Sequence, residues 1–144
     1  GQEQVQFELS ANAGQSLAPL AKAASGGELS RLSLALQVSL VNNVIPPLFI
    51  FDEIDVGIGG ETAHTVGRLL RCLGEQTQLL CITHLAQVAA QAHHHYRVTK
   101  TTRDDHTYSD IEPLDPAERT AEIARMLGGN SATSHAHAEE LLQC

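Results

Sequence analysis

Leu48-Phe49-Ile50-Phe51 is apolar without a break and then gives way to Asp52-Glu53. Further on, Leu79-Leu80-Cys81-Ile82 repeats the pattern and gives way to Thr83-His84. Short unbroken apolar runs of this kind suit parallel strands buried on both faces. The second strand is expected over Gln78–Thr83. Between the runs, Val66, Leu69, Leu70 and Leu73 fall at helical spacing over Glu61 to Leu73, and Gly74 suits the end of that helix. Upstream, Leu29, Leu32, Leu36 and Leu40 mark a helix from Gly26 to about Asn42, with Leu34, Val38 and Val41 widening its stripe. Pro46-Pro47 prevents it from continuing.

The flanks carry weaker patterns. Gln4 to Ser10 alternates as a strand, and Asn12 to Ala24 reads as a connection containing Pro19. Leu85 to Ala92 is expected as a helix. Tyr96–Thr102 and Thr107–Leu114 read as a hairpin around Arg103-Asp104-Asp105. Asp115-Pro116, with Glu118 behind, opens a helix that runs to Leu127 and stops at Gly128-Gly129. Ser134 to Gln143 forms a last short helix. The alternation of strand and helix predicts an α/β fold.

Composition narrows the picture. The chain has 144 residues, one domain's length, and is 42% hydrophobic but only 3% aromatic, so its core rests on Leu, Val, Ile and Ala. The net charge is −8 and the basic residues are scattered, which argues against a nucleic-acid surface in this segment. No apolar run is long enough for a membrane span, and no secretory signal opens the chain. Cys72, Cys81 and Cys144 are odd in number and lack C-x-x-C spacing, as in a reducing cytoplasm. His93-His94-His95 point in different directions and read as a loop; His135 and His137 read as surface residues.

Three short stretches carry chemistry. In Ser25-Gly26-Gly27-Glu28, Ser25 and Glu28 can form a reciprocal cap, and the glycines let a ligand approach the backbone. Free N–H groups at such a helix start favour a phosphate. Asp52 and Glu53 follow a strand end, where one carboxylate can hold a water of Mg²⁺ and the other can orient an attacking water. His84 ends the next strand, where a neutral imidazole can donate to a phosphate oxygen while accepting from another group. Taken singly, these fit a capped core helix, an acidic loop and a strand-end histidine. Their order points to a nucleotide-hydrolysing site. No G-x-x-x-x-G-K-[ST] phosphate loop occurs in the sequence, so half of such a site is expected.

Together the motifs resemble the C-terminal lobe of an ABC-type ATPase head, and in particular that of the RecN family, bacterial DNA-repair relatives of the SMC proteins. Ala24 to Arg31 (ASGGELSR) resembles the signature motif. Phe51 to Gly60 (FDEIDVGIGG) resembles the Walker B strand and D-loop, and Thr83 to Ala90 (THLAQVAA) the H-loop and its helix. Glu122 to Gly129 (EIARMLGG), followed by His137 to Leu142, is similar to the family's C-terminal segment. Where the wider ABC pattern ends its D-loop in Asp, this chain has Gly59, and its acid is the earlier Asp55.

The resemblance implies that residues 1–144 are one lobe of a P-loop ATPase head, a mainly parallel sheet flanked by helices with a C-terminal hairpin and short helices. It implies ATP and Mg²⁺ as ligands. Ser25, Gly26, Gly27 and Glu28 would contact ATP held by a second head of a homodimer. Asp52 would hold Mg²⁺ through water, and Glu53 and His84 would be catalytic toward the head's own ATP. The phosphate loop would come from an N-terminal Walker A lobe of the same protein, across a long coiled coil. It further implies ATP hydrolysis in repair and recombination of DNA double-strand breaks within the SOS response, in the cytoplasm at the nucleoid. DNA would be bound by the full-length protein and not mainly by this lobe, and this lobe alone would not hydrolyse ATP. The alternatives are another SMC- or ABC-like head, or a non-catalytic dimerisation module.

Overall fold

The two apolar runs pair with each other. In the computed structural model, β3 (Leu48–Phe51) lies parallel to β4 (Gln78–Cys81), in register from Leu48 opposite Gln78 to Phe51 opposite Cys81. The pairing continues one step, with Ile82 N–H donating to the Phe51 carbonyl at 2.9 Å. The structure describes residues 1, 3, 5–10, 14, 16–20, 25–39, 47–129 and 131–143. Ahead of the pair come β1 (Glu8–Leu9), β2 (Ala18–Pro19) and α1 (Gly26–Ser39). Helix α2 (Gly60–Gly74) crosses from β3 to β4, and the short α3 (Ala86–Ala89) follows β4. Then come β5 (Tyr96–Arg103), β6 (His106–Pro113), α4 (Pro116–Met126) and α5 (Ala132–Gln143).

Helix α2 buries Ala63, Val66, Gly67, Leu70 and Leu73, one stripe at helical spacing. That stripe packs with Leu34 of α1, Phe51, Ile54 and Val88 into the main core, flanked by Phe49, Leu79 and Cys81. Period-2 alternation sends the other side chains of the strands outward. Leu48, Ile50, Leu80 and Ile82 are 40%, 64%, 49% and 61% exposed. The expected burial on both faces is therefore met on one face only among the described residues, whose helices cover a single side.

The expected mainly parallel sheet differs too. Among the described residues β3–β4 is parallel, whereas β1–β2 and β5–β6 are antiparallel two-stranded sheets. The strand expected over Gln4–Ser10 shrinks to Glu8–Leu9, paired with Ala18–Pro19 inside the stretch read as a connection. Val5 and Phe7 find no cover, at 81% and 72% exposed. Gln4 and much of 11–24 lie outside the described residues, as do Leu40 to Asn42, Pro46 and Cys144. The hairpin turn takes two residues, Asp104 and Asp105, with φ of 49° and 59°, the positive values that such tight turns require.

A second core joins α3 to the C-terminal helices through Ala86, Ala89, Ala90, Ile123, Ala124 and Ala138. Small side chains let these helices approach closely. Gly67 shows the same: a Cβ there would meet Gln91 Cγ at 2.9 Å and the Gln87 carbonyl at 3.1 Å. Arginines then tie down the carbonyls that α3 leaves free. Arg71 donates to Gln91 O at 2.9 Å, and Arg119 to Ala90 O and Ala92 O at 2.9 and 2.5 Å. Helix α4 starts on the expected cap. Asp115 N–H donates to Glu118 at 2.9 Å, and Glu118 N–H to Asp115 at 2.8 Å, with Pro116 in the first turn.

Candidate functional site

The start of α1 is held by its own side chains. Ser25 N–H donates to Glu28 Oε2 at 2.7 Å, and Glu28 N–H donates to Ser25 Oγ at 3.3 Å. Ser25, by its N–H first and its hydroxyl second, holds the Glu28 carboxyl below its usual range, helped by the charge of Arg31. A capped first turn with an exposed Gly26 leaves room for an anion.

The two glycines have different surroundings. Gly26 is exposed, and a Cβ on it would meet only the Glu53 carboxylate, at 3.4 Å. Gly27 is buried, and a Cβ on it would sit 3.1 Å from Arg31 Nη1, the Glu53 carbonyl and the Val56 carbonyl. The missing side chain thus opens a path for a ligand at Gly26 and permits packing at Gly27.

That packing seats α1 on the turn that leaves β3. Asp52 and Glu53 are both exposed there, beyond the carboxyl end of the strand. Ser30 Oγ reaches the Asp52 carbonyl at 3.5 Å, and Glu53 N–H donates to Asp52 Oδ1 at 2.9 Å. Glu53 has φ of 57°, a left-handed conformation that an ordinary side chain adopts at a cost of about 1 kcal/mol or more. The turn closes with Val56 N–H donating to the Glu53 carbonyl at 3.2 Å. Gly57 and Gly60 carry positive φ of 74° and 52°, as a glycine-rich connection into α2 allows. Gly59 is extended and stands at the helix start.

His84 leaves β4 beside this turn. Its ring is exposed, with Nδ1 3.2 Å from Oδ2 of Asp55. Asp55 itself is only 2% exposed. Burial pushes its carboxyl up, yet hydrogen bonds from the Thr83 hydroxyl and His84 N–H, with the neighbouring His84 ring, outweigh it and leave the group below its usual range. A carboxylate oxygen can only accept. The expected neutral ring that accepts from one neighbour and donates to a phosphate therefore needs correcting. With Nδ1 turned to Asp55, the ring donates from both nitrogens only as imidazolium. Cys81, just before, is a neutral thiol, pushed up to about 12 by burial and the charges of Asp55 and Asp52.

The structure thus brings Ser25, Gly26, Gly27, Glu28, Asp52 and Glu53 to one α1–turn junction, with His84 at the adjacent strand end. Sequence reasoning gave Asp55, Thr83 and Arg31 no part in this junction. Asp55 follows Asp52 and Glu53 in a turn without periodicity, so nothing local marks it as the buried acid of the three. Exposed carboxylates past a strand end, next to an open helix start, fit Mg²⁺ with phosphates, because Mg²⁺ takes one or two protein carboxylates and keeps waters. Among the described residues no group of three or more His, Cys, Asp or Glu forms a metal cage, His93 to His95 included. Among them, also, no helix is long and apolar enough to cross a membrane.

Residues 15–107 match the model of the RecF/RecN/SMC N-terminal domain. The DNA repair protein RecN of Vibrio cholerae serotype O1 is 54% identical over 99% of this chain and 26% of its own length. RecN of Deinococcus radiodurans is 50% identical over 99% of this chain and 25% of its own. The chain spans about a quarter of the length of these curated relatives. A chain solved in work on ATP-driven dimerisation and DNA-stimulated activation of SMC ATPases shares the fold, with a TM-score of 0.57 at 19% identity, over 90% of this chain and 77% of that one.

Proposed function

This chain belongs to the RecF/RecN/SMC N-terminal domain family, and we propose that residues 1–144 are the carboxy-terminal lobe of a RecN-type ATPase head. The carrying observation is the junction itself, where a capped, open helix start rests on the turn of Asp52 and Glu53 beside His84. The head would bind ATP with Mg²⁺ and serve repair and recombination of DNA double-strand breaks, in the cytoplasm at the nucleoid. Asp52 would hold a water of the Mg²⁺, which supplies neutralising charge to phosphate oxygens when bound. Glu53 would accept a proton from, and orient, the attacking water. With Nδ1 on Asp55, His84 would donate through its other nitrogen, as imidazolium, to a phosphate oxygen of the head's own nucleotide. Ser25 and the N–H groups at Gly26, with Glu28 fixing the cap, would meet a phosphate held by a second head.

The phosphate loop and its Lys would come from an N-terminal lobe of the full-length protein, so this lobe alone would not hydrolyse ATP. The apolar face of Leu48, Ile50, Leu80 and Ile82 supports that arrangement, since an ordinary head would cover it. The lobe's charge of −8 leaves the main DNA contact to the rest of the protein.

Complementation tests this reading. In the full-length protein, Ser25→Arg should keep ATP binding but lose ATP-driven dimerisation and hydrolysis. Mixing it with a phosphate-loop variant should restore part of the activity, because a mixed dimer keeps one site with both halves intact. Two folded, associating variants that restore nothing on mixing would refute the shared site and favour a dimerisation module.

A further inference from the structure

Asp55 is a buried acid to which the proposed chemistry gives no task. A carboxylate that is 2% exposed is costly without partners. Its Oδ2 accepts from Thr83 Oγ1 at 2.5 Å and from His84 N–H at 2.9 Å, and faces His84 Nδ1 at 3.2 Å. Thr83 Oγ1 in turn accepts from Leu85 N–H at 3.0 Å. One oxygen therefore gathers the backbone and the ring of the same histidine. From the opposite side, Arg31 Nη1 donates to the carbonyls of Ile54 and Val56 at 3.1 and 3.0 Å. These two residues flank Asp55, so a guanidinium on α1 fixes the backbone on either side of the carboxylate.

We propose that Asp55 is the positioning residue for His84, holding Nδ1 and so setting which way the ring points and which nitrogen is left to meet phosphate. It does not touch nucleotide. A carboxylate that holds one nitrogen of an imidazole fixes the direction of the ring. His84 needs such a partner because its side chain is 70% exposed and has little packing to hold it. The proposal rests on the reading of His84 as the group that meets phosphate.

A double-mutant cycle on the full-length protein tests it, with kcat and KM for ATP measured on Asp55→Ala, His84→Ala and the pair. Each single change should lower kcat by about tenfold to a hundredfold, the range for loss of an orienting partner, with KM little moved. The pair should be no slower than His84→Ala alone, because Asp55 acts only through that ring. A merely structural Asp55 would slow the enzyme further in the His84→Ala background, and losses that multiply overturn the proposal. Asp55→Asn keeps an oxygen acceptor and serves if the alanine variant fails to fold. It should fall between the parent and His84→Ala and cost nothing more when combined with His84→Ala; an added loss there also overturns the proposal. A His84→Ala protein that hydrolyses at the parental rate removes the reading of His84, and the proposal with it.

Discussion

Gly27→Ala asks whether α1 is seated on the Glu53 turn as described. The added methyl would lie 3.1 Å from three atoms, Arg31 Nη1 and the carbonyls of Glu53 and Val56. Each must retreat by a few tenths of an ångström. Two of the three are backbone, and Glu53 is already held at a φ of 57°, so the turn has little room to give. Overpacking of this kind costs about 1–3 kcal/mol. Replacing a helical Gly returns at most about 1 kcal/mol. The net loss is about 1 kcal/mol, which should lower the urea midpoint of this chain by about 0.5 M. Gly26→Ala is the control, since its methyl meets only the mobile tip of Glu53 at an ordinary 3.4 Å. Its midpoint should hold or rise. In the full-length protein Gly27→Ala should also slow hydrolysis, because it shifts the residue that carries Glu53. A displacement of 1 Å costs about a hundredfold, so a few tenths scale to about fourfold. A Gly27→Ala chain whose midpoint rises with that of Gly26→Ala would refute the seating of α1.

The remaining predictions concern the carboxylates. Glu53→Gln in the full-length protein should keep ATP binding while kcat falls by about a hundredfold or more, because an amide cannot accept the proton of the attacking water; phosphate release at the parental rate would remove Glu53 from that role. Asp55, held below its usual range, favours the folded state while ionised. Its contribution is present above about pH 4 and disappears as pH falls through the lower folded value. Asp55→Asn should therefore flatten the loss of stability as pH falls below about 4, read as urea midpoints against pH, and parallel curves for the two proteins would contradict this.

Much of the site was legible because its signals are local. A reciprocal cap needs a serine and a glutamate three residues apart, and Ser25 and Glu28 form it. Apolar runs that end in acids or histidine mark strand ends, and Asp52, Glu53 and His84 stand there. What stayed illegible depends on contacts distant in sequence. Nothing near Asp55 announces that Thr83 and His84 will meet it, and nothing near Arg31 announces that two carbonyls will. The positive φ of Glu53 follows from the tight return of the chain beneath α1, which no single residue encodes. The flanks failed for a related reason. Alternation over Gln4–Ser10 suits a strand, but a strand needs a partner edge, and among the described residues the strand pairing covers Glu8 and Leu9, against Pro19 and Ala18.

The apolar runs carry a further argument. Unbroken apolar sequence predicted strands buried on both sides, while the described residues supply helices for one side only. Alternation of side chains makes this visible residue by residue, with Phe49 and Phe51 inward and Leu48 and Ile50 outward. A chain selected to fold with that outer face wet would place polar residues at positions 48, 50, 80 and 82, as antiparallel sheets with one wet face do. The apolar choice at all four positions fits a face with further cover than the described residues give it. The pattern is that of strands covered on both faces, which is what the proposed head would supply. The catalytic arrangement has the same form. The start of α1 and the carboxylates of Asp52 and Glu53 are exposed, and the sequence holds no G-x-x-x-x-G-K-[ST] loop to cradle phosphates beside them. Sheet face and site are both open, and a lobe bearing a phosphate loop that packed on the first would also complete the second.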